Sequence, residues 1–145
     1  MRRLSTPPMS AMVLGVAGLI PFLGFAALAV SGYDGGFGTL GLSPRTILSA
    51  YGAVIASFLG GIRWGAAAAG GAAGADYLIA IVPSVFAWAA LAAPAPWDLR
   101  ILGALVLLWG FVDQDLSRRG LAPHWLSRMR LILSGVAGLA LLVAA

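Results

Sequence analysis

Long apolar runs, interrupted at wide intervals by glycine, proline and a few charges, make up most of this chain. A helix that crosses a bilayer needs about 17–25 apolar residues, and five runs reach or approach that length. They extend from about Ser10 to Ser31, Ile47 to Ala69, Tyr77 to Ala93, Leu99 to Val112, and Leu131 to Ala145. The fourth is short, but its helix can continue through Asp115, Leu116, Ser117, Arg118 and Arg119, with Gly120 as a C-cap. The fifth reads back to Pro123, a first-turn proline. Between the runs lie two Gly-rich connectors, Gly32–Gly38 and Gly70–Gly74, and a tight turn at Pro94-Ala95-Pro96. Neither Gly-rich stretch follows a strand or carries a Lys, so both read as loops, not phosphate cradles. The pattern predicts an all-α polytopic membrane protein: a bundle of about five transmembrane helices, one domain over residues 1–145.

Composition agrees. The chain is 61% hydrophobic and 10% charged, against about 25% charged in soluble domains, too little polar surface to coat a globule in water. All nine basic residues are Arg and all five acidic residues are Asp. The net charge of +4 does not point to nucleic acid, because the Arg residues are scattered between apolar runs and form no basic face. They read as topology signals: Arg2 and Arg3 precede the first span, and Arg118, Arg119, Arg128 and Arg130 lie between the fourth and fifth. Five spans place both groups on one side, the N-terminus inside and the C-terminus outside. Arg2-Arg3, an apolar run and Ala27-Leu28-Ala29 also resemble a secretory signal, but the run exceeds a typical signal core and is read as a retained helix. Without Cys, thiolate metal sites and cysteine nucleophiles are excluded. Most Trp and Tyr residues, Trp109 among them, fall at span ends as an aromatic belt; Trp88 lies deeper and reads as core.

Membrane helices associate through small residues that let backbones approach. In the second span Ala53, Ser57, Gly61 and Gly65 recur every fourth residue, with Gly52, Ala56 and Gly60 as an adjacent stripe. The first stripe is expected to be the contact face; a flat ligand lying against bare backbone is the alternative. Ser134 and Gly138 repeat the spacing in the fifth span. Pro21 and Pro83 are expected to bend the first and third. Arg63, inside the second span, is the most informative charge. At mid-bilayer it costs about 2.5–3.5 kcal/mol on insertion scales, so it should face the bundle and pair with a carboxylate. Asp113, at the end of the fourth span, is the favoured partner, and Asp76 the second, since it can reach water through a Gly loop. The lone His124 supports neither a metal nor a haem site, and no catalytic residue and no cofactor are expected.

The segment Tyr51-Gly52-Ala53-Val54-Ile55-Ala56-Ser57-Phe58-Leu59-Gly60-Gly61-Ile62-Arg63-Trp64-Gly65 resembles the signature of a family of small multi-span membrane proteins of unknown function that includes transmembrane protein 69. Pro83-Ser84 with Trp88, Asp113, and Leu121 to Arg130 resemble its pattern too. In that family the position of Arg63 is often His. The resemblance implies a multi-pass protein of a bacterial inner membrane, here with a cytoplasmic N-terminus, and brings no established activity. Two functions remain open: a non-enzymatic accessory or assembly subunit of a larger respiratory or photosynthetic complex, with other membrane subunits as partners; or a binder or transporter of a quinone or lipid, with Arg63 as its polar contact. No inverted repeat supports transport.

Overall fold

A computed structural model describes residues 6–71 and 74–145. Arg2, Arg3, Ala72 and Ala73, which entered the reading of topology and loops, lie outside the described residues. The elements are α1 (Met9–Ala17), α2 (Leu19–Val30), α3 (Pro44–Gly70), α4 (Gly74–Leu91), α5 (Trp97–Val112), α6 (Gln114–Arg118) and α7 (His124–Val143). The chain is an all-α polytopic membrane bundle. Four helices, Met9–Val30, Pro44–Gly70, Gly74–Leu91 and His124–Val143, are long and apolar enough to cross a membrane. The fifth, α5, has 16 residues, about 24 Å at 1.5 Å per residue.

The departures from the expected helices have local causes. The first span breaks at Gly18, three residues before Pro21, whose ring crowds the carbonyl four residues back and which has no N–H to donate there. The Gly18 carbonyl accepts the Tyr51 hydroxyl of α3 at 2.9 Å. Helix α3 starts at Pro44, earlier than Ile47, because Ser43 caps it by accepting the Thr46 N–H at 3.1 Å. Helix α4 starts at Gly74, which brings Asp76 into its first turn. The fourth span bends at Asp113, and Gln114 holds the bend by donating to the Gly110 and Ser127 carbonyls at 2.9 and 2.8 Å.

The contact face of α3 is the neighbour of the one expected. Gly61 and Gly65 are exposed, and nothing lies within 4 Å of where their Cβ atoms would be. Ala53 is buried and Ser57 half-buried; the packed face carries Gly52, Ala56, Gly60, Arg63 and Ala67. At about 100° per residue, Gly61 and Gly65 flank Arg63 by two positions each and so fall on the opposite side. The charge chose the face. Helices α5 and α7 meet backbone to backbone: a Cβ on Gly138 would lie 2.9 Å from the Gly103 carbonyl, and one on Gly110 2.9 Å from Ser134 Cβ. The two tryptophans exchange their expected places, Trp109 being buried in the core and Trp88 exposed.

The ends of the bundle are tied differently. At one, Arg45 at the start of α3 pairs with Asp98 at the start of α5 and donates to the Ala144 carbonyl at 3.1 Å, past the end of α7. The other end gathers the remaining buried charge. This arrangement makes the connections alternate in side. Reporter fusions at Gly71 and Gly120 should therefore report one compartment, and fusions at Asp34, Pro96 and Ala145 the other. The same side for Pro96 and Gly120 would mean that α5 does not cross.

Candidate functional site

Five elements converge at the second end. Helix α3 carries Arg63 there, about two turns before its end at Gly70. The first turn of α4 supplies Asp76, the bend after α5 supplies Asp113, α6 with its cap supplies Asp115 and Arg119, and the second turn of α7 supplies Arg130. Arg63 is 2% exposed. It donates to Asp76 at 2.9 Å, to Asp113 at 3.3 Å and to Asp115 at 3.3 Å. Arg63 thus meets both carboxylates singled out in the sequence, with Asp76 the nearer. Asp76 is buried, not bathed in water through the Gly loop, because the helix begins before it and Arg119 covers it. Arg119 grips both Asp76 oxygens at 2.8 and 2.7 Å, the bidentate geometry a planar guanidinium favours. It also reaches Asp115 at 3.1 Å. Those hydrogen bonds, the one to Asp76 first, raise the Arg119 pKa further above its usual value.

Asp113, 1% exposed, sits between two guanidinium groups, Arg63 on Oδ1 and Arg130 on Oδ2. The cluster therefore contains three Arg and three Asp in continuous contact. Buried charges are tolerated only when paired, and here every carboxylate faces at least one cation. Arg130 is paired through one end of its guanidinium. It is 4% exposed; its Nη1 pairs with Asp113 Oδ2, while Nε and Nη2 direct no hydrogen bond to an acceptor among the described residues.

Arg130 also lines a cavity of about 350 Å³, enclosed by α1, α2, α3, α5 and α7. The size falls in the range of small-ligand pockets, about 300–1,000 Å³. The walls are apolar side chains such as Phe22, Ile55, Leu59 and Val106; the polar side chains in the lining are Arg130 and Ser134, one turn apart on α7. Leu14 and Phe58 line it as well and are 72% and 62% exposed on the outside of the bundle. The cavity thus opens sideways, onto the surface that an apolar solvent would cover.

Over residues 7–145 the chain matches the family described as protein of unknown function DUF3429. It belongs to that family. Transmembrane protein 69 of Xenopus tropicalis is 33% identical over 145 residues, covering 94% of this chain and 53% of that relative. The chain therefore spans about half the length of the curated relative it matches. No solved structure matches. The DUF3429 segment Tyr51–Gly65 supplies the Tyr51 hydroxyl that holds Gly18, the cavity wall at Ile55, Phe58 and Leu59, and Arg63 itself.

Arg119, Asp115, Gln114 and Arg130 were not singled out as site residues in the sequence. For Arg130 a signal existed. Ser127, Arg130, Ser134, Ala137, Gly138 and Leu141 recur with three- and four-residue steps and form the buried face of α7. An arginine in register with that face belongs inside the bundle, whereas Arg128 falls outside it.

Proposed function

We propose that this membrane protein holds a small hydrophobic molecule taken from the bilayer, without performing chemistry on it. One observation carries the reading: a laterally open cavity of about 350 Å³ whose wall is almost wholly hydrocarbon. Small-molecule sites are typically concave and lined predominantly by apolar side chains, as this cavity is. Arg63 is committed to three carboxylates and does not line the cavity. The Arg-rich end, with Arg118 and Arg128 exposed beside the cluster, faces the cytoplasm of an inner membrane under the positive-inside rule.

Purification in a mild detergent, followed by organic extraction and mass spectrometry, tests this. A small hydrophobic molecule should accompany the wild type in a fixed ratio and be lost from Leu133→Trp, which fills the cavity from the α7 side. Its absence from the folded wild type would sink the reading. A second reading, an accessory or assembly subunit of a larger membrane complex, is favoured by the open glycine face of Gly61 and Gly65. A polypeptide that co-purifies stoichiometrically, and is lost from Gly61→Leu, would support that role instead.

A further inference from the structure

We infer that the cavity takes one acyl chain of a phospholipid from the leaflet on the Arg-rich side, while the head group stays outside the protein. The inference rests on the binding reading above and names both the class of molecule and the part of it that is held.

The lining excludes a polar occupant. Arg130 and Ser134 are its polar side chains, and neither offers a polar group to the interior. The Arg130 guanidinium is buried with Nη1 on Asp113, so its methylene stem is what it lends to the wall, as long cationic side chains commonly do. Ser134 is buried, and its Oγ lies toward α5, 3.4 Å from where a Gly110 Cβ would be. A head group drawn inside would leave water and find no partner, which is costly. A hydrocarbon chain loses nothing on entering. Water does not fill such a space either: an apolar cavity of about 150 Å³ stays dry and takes up benzene, and this one has about 350 Å³.

Length and level point to one leaflet. On α7 the wall runs from Leu126 to Ala137, about 16 Å at 1.5 Å per residue. Half of a hydrocarbon core about 30 Å thick is about 15 Å, the depth that one leaflet's chains occupy. Leu126 lies in the first turn of α7, and on α3 the wall ends at Ile62, beside Arg63. The cavity therefore starts at the level of the charge cluster and ends near mid-membrane.

The opening supplies the route. Leu14 on α1 and Phe58 on α3 border it and face outward. Helix α1, which closes that side with Ala11, Leu14 and Gly15, has no buried residue. A chain lying parallel to the helices enters sideways there, and its head never leaves the interface.

The test uses the full chain in phosphatidylcholine nanodiscs with a trace of phosphatidylcholine that carries a photoactivatable diazirine on one acyl chain. Mass spectrometry reads the labelled residues. A diazirine near the methyl end should label Ile55, Phe22 and Ala137, and one near the carboxyl end Ile62, Leu126 and Met129. Phe22 and Ala137 are 1% and 3% exposed, out of reach of lipid that merely surrounds the bundle. Phosphatidylethanolamine and phosphatidylglycerol with the same labelled chain should give the same pattern and yield. Leu133→Trp should lose the labels on Phe22 and Ala137 and keep the one on Leu139, which is exposed on the outside. If that variant does not fold, the order of depths on the wild type still decides. A reversed order of depths, or a yield that follows the head group, overturns the inference. Label on Phe22 and Ala137 from a photoactivatable ubiquinone analogue alone overturns the acyl chain and leaves the binding reading intact. No label on the wall from the lipids or from that analogue overturns both.

Discussion

Asp113→Ala is expected to be the most destabilising single substitution in the charge cluster, at about 3–5 kcal/mol, the cost of stranding a buried charge. Among the described residues, Asp113 is the sole carboxylate against Arg130 and one of three against Arg63. Its removal leaves Arg130 ionised, buried and without a counter-charge, since an arginine cannot shed its proton in a protein. Replacing both partners, Asp113→Ala with Arg130→Met, should recover much of the loss, because the pair's desolvation cost disappears with it. The double variant should therefore lose less than the sum of the single changes. Asp115→Ala is the internal control. Its side chain is 45% exposed, water screens it, and its loss should cost a small fraction of the Asp113 effect. Thermal unfolding in detergent measures all four. Losses that simply add across Asp113→Ala and Arg130→Met would mean that the two charges do not depend on each other.

The second large effect separates two adjacent glycines. Gly60 faces α4 so closely that a Cβ there would overlap the Ala80 carbonyl and lie 3.2 Å from Pro83 Cγ. The obstacle is backbone, which cannot turn aside as a side chain can. Gly60→Ala should cost at least the about 1–3 kcal/mol typical of overpacking, and Gly60→Leu should yield little monodisperse protein on size exclusion. Gly61, one position on, has open space around its Cβ. Gly61→Leu should leave the isolated chain within about 0.5 kcal/mol of wild type, as for surface positions away from special features. Equal losses at the two positions would place the α3–α4 contact elsewhere.

These two experiments also mark where the sequence stops being sufficient. Composition and run length determined the membrane class and the approximate helices, because hydrocarbon thickness sets helix length and a bilayer removes the need for a polar coat. That Arg63 turns inward follows from its own energetics, since a guanidinium at that depth has to find a partner. From its position alone, Gly61 and Gly65 could have been placed on the outer face, two residues to either side of it. The expected stripe failed because spacing of small residues does not say which of two adjacent faces a helix buries.

Other features existed only in the assembled bundle. Asp76 looked solvated beside a Gly loop, but α4 begins before it and Arg119, 43 residues away along the chain, closes over it. Trp109 looked interfacial because it stands near the end of an apolar run, yet it lies on the α5 face turned to the core. The sequence by itself determined what each segment dissolves in, because transfer free energy is a local sum over side chains. Tertiary structure alone decided which charges share a partner and that an apolar cavity opens between the helices. Those outcomes depend on the relative rotation of α3, α5 and α7, and packing sets that rotation jointly across all three.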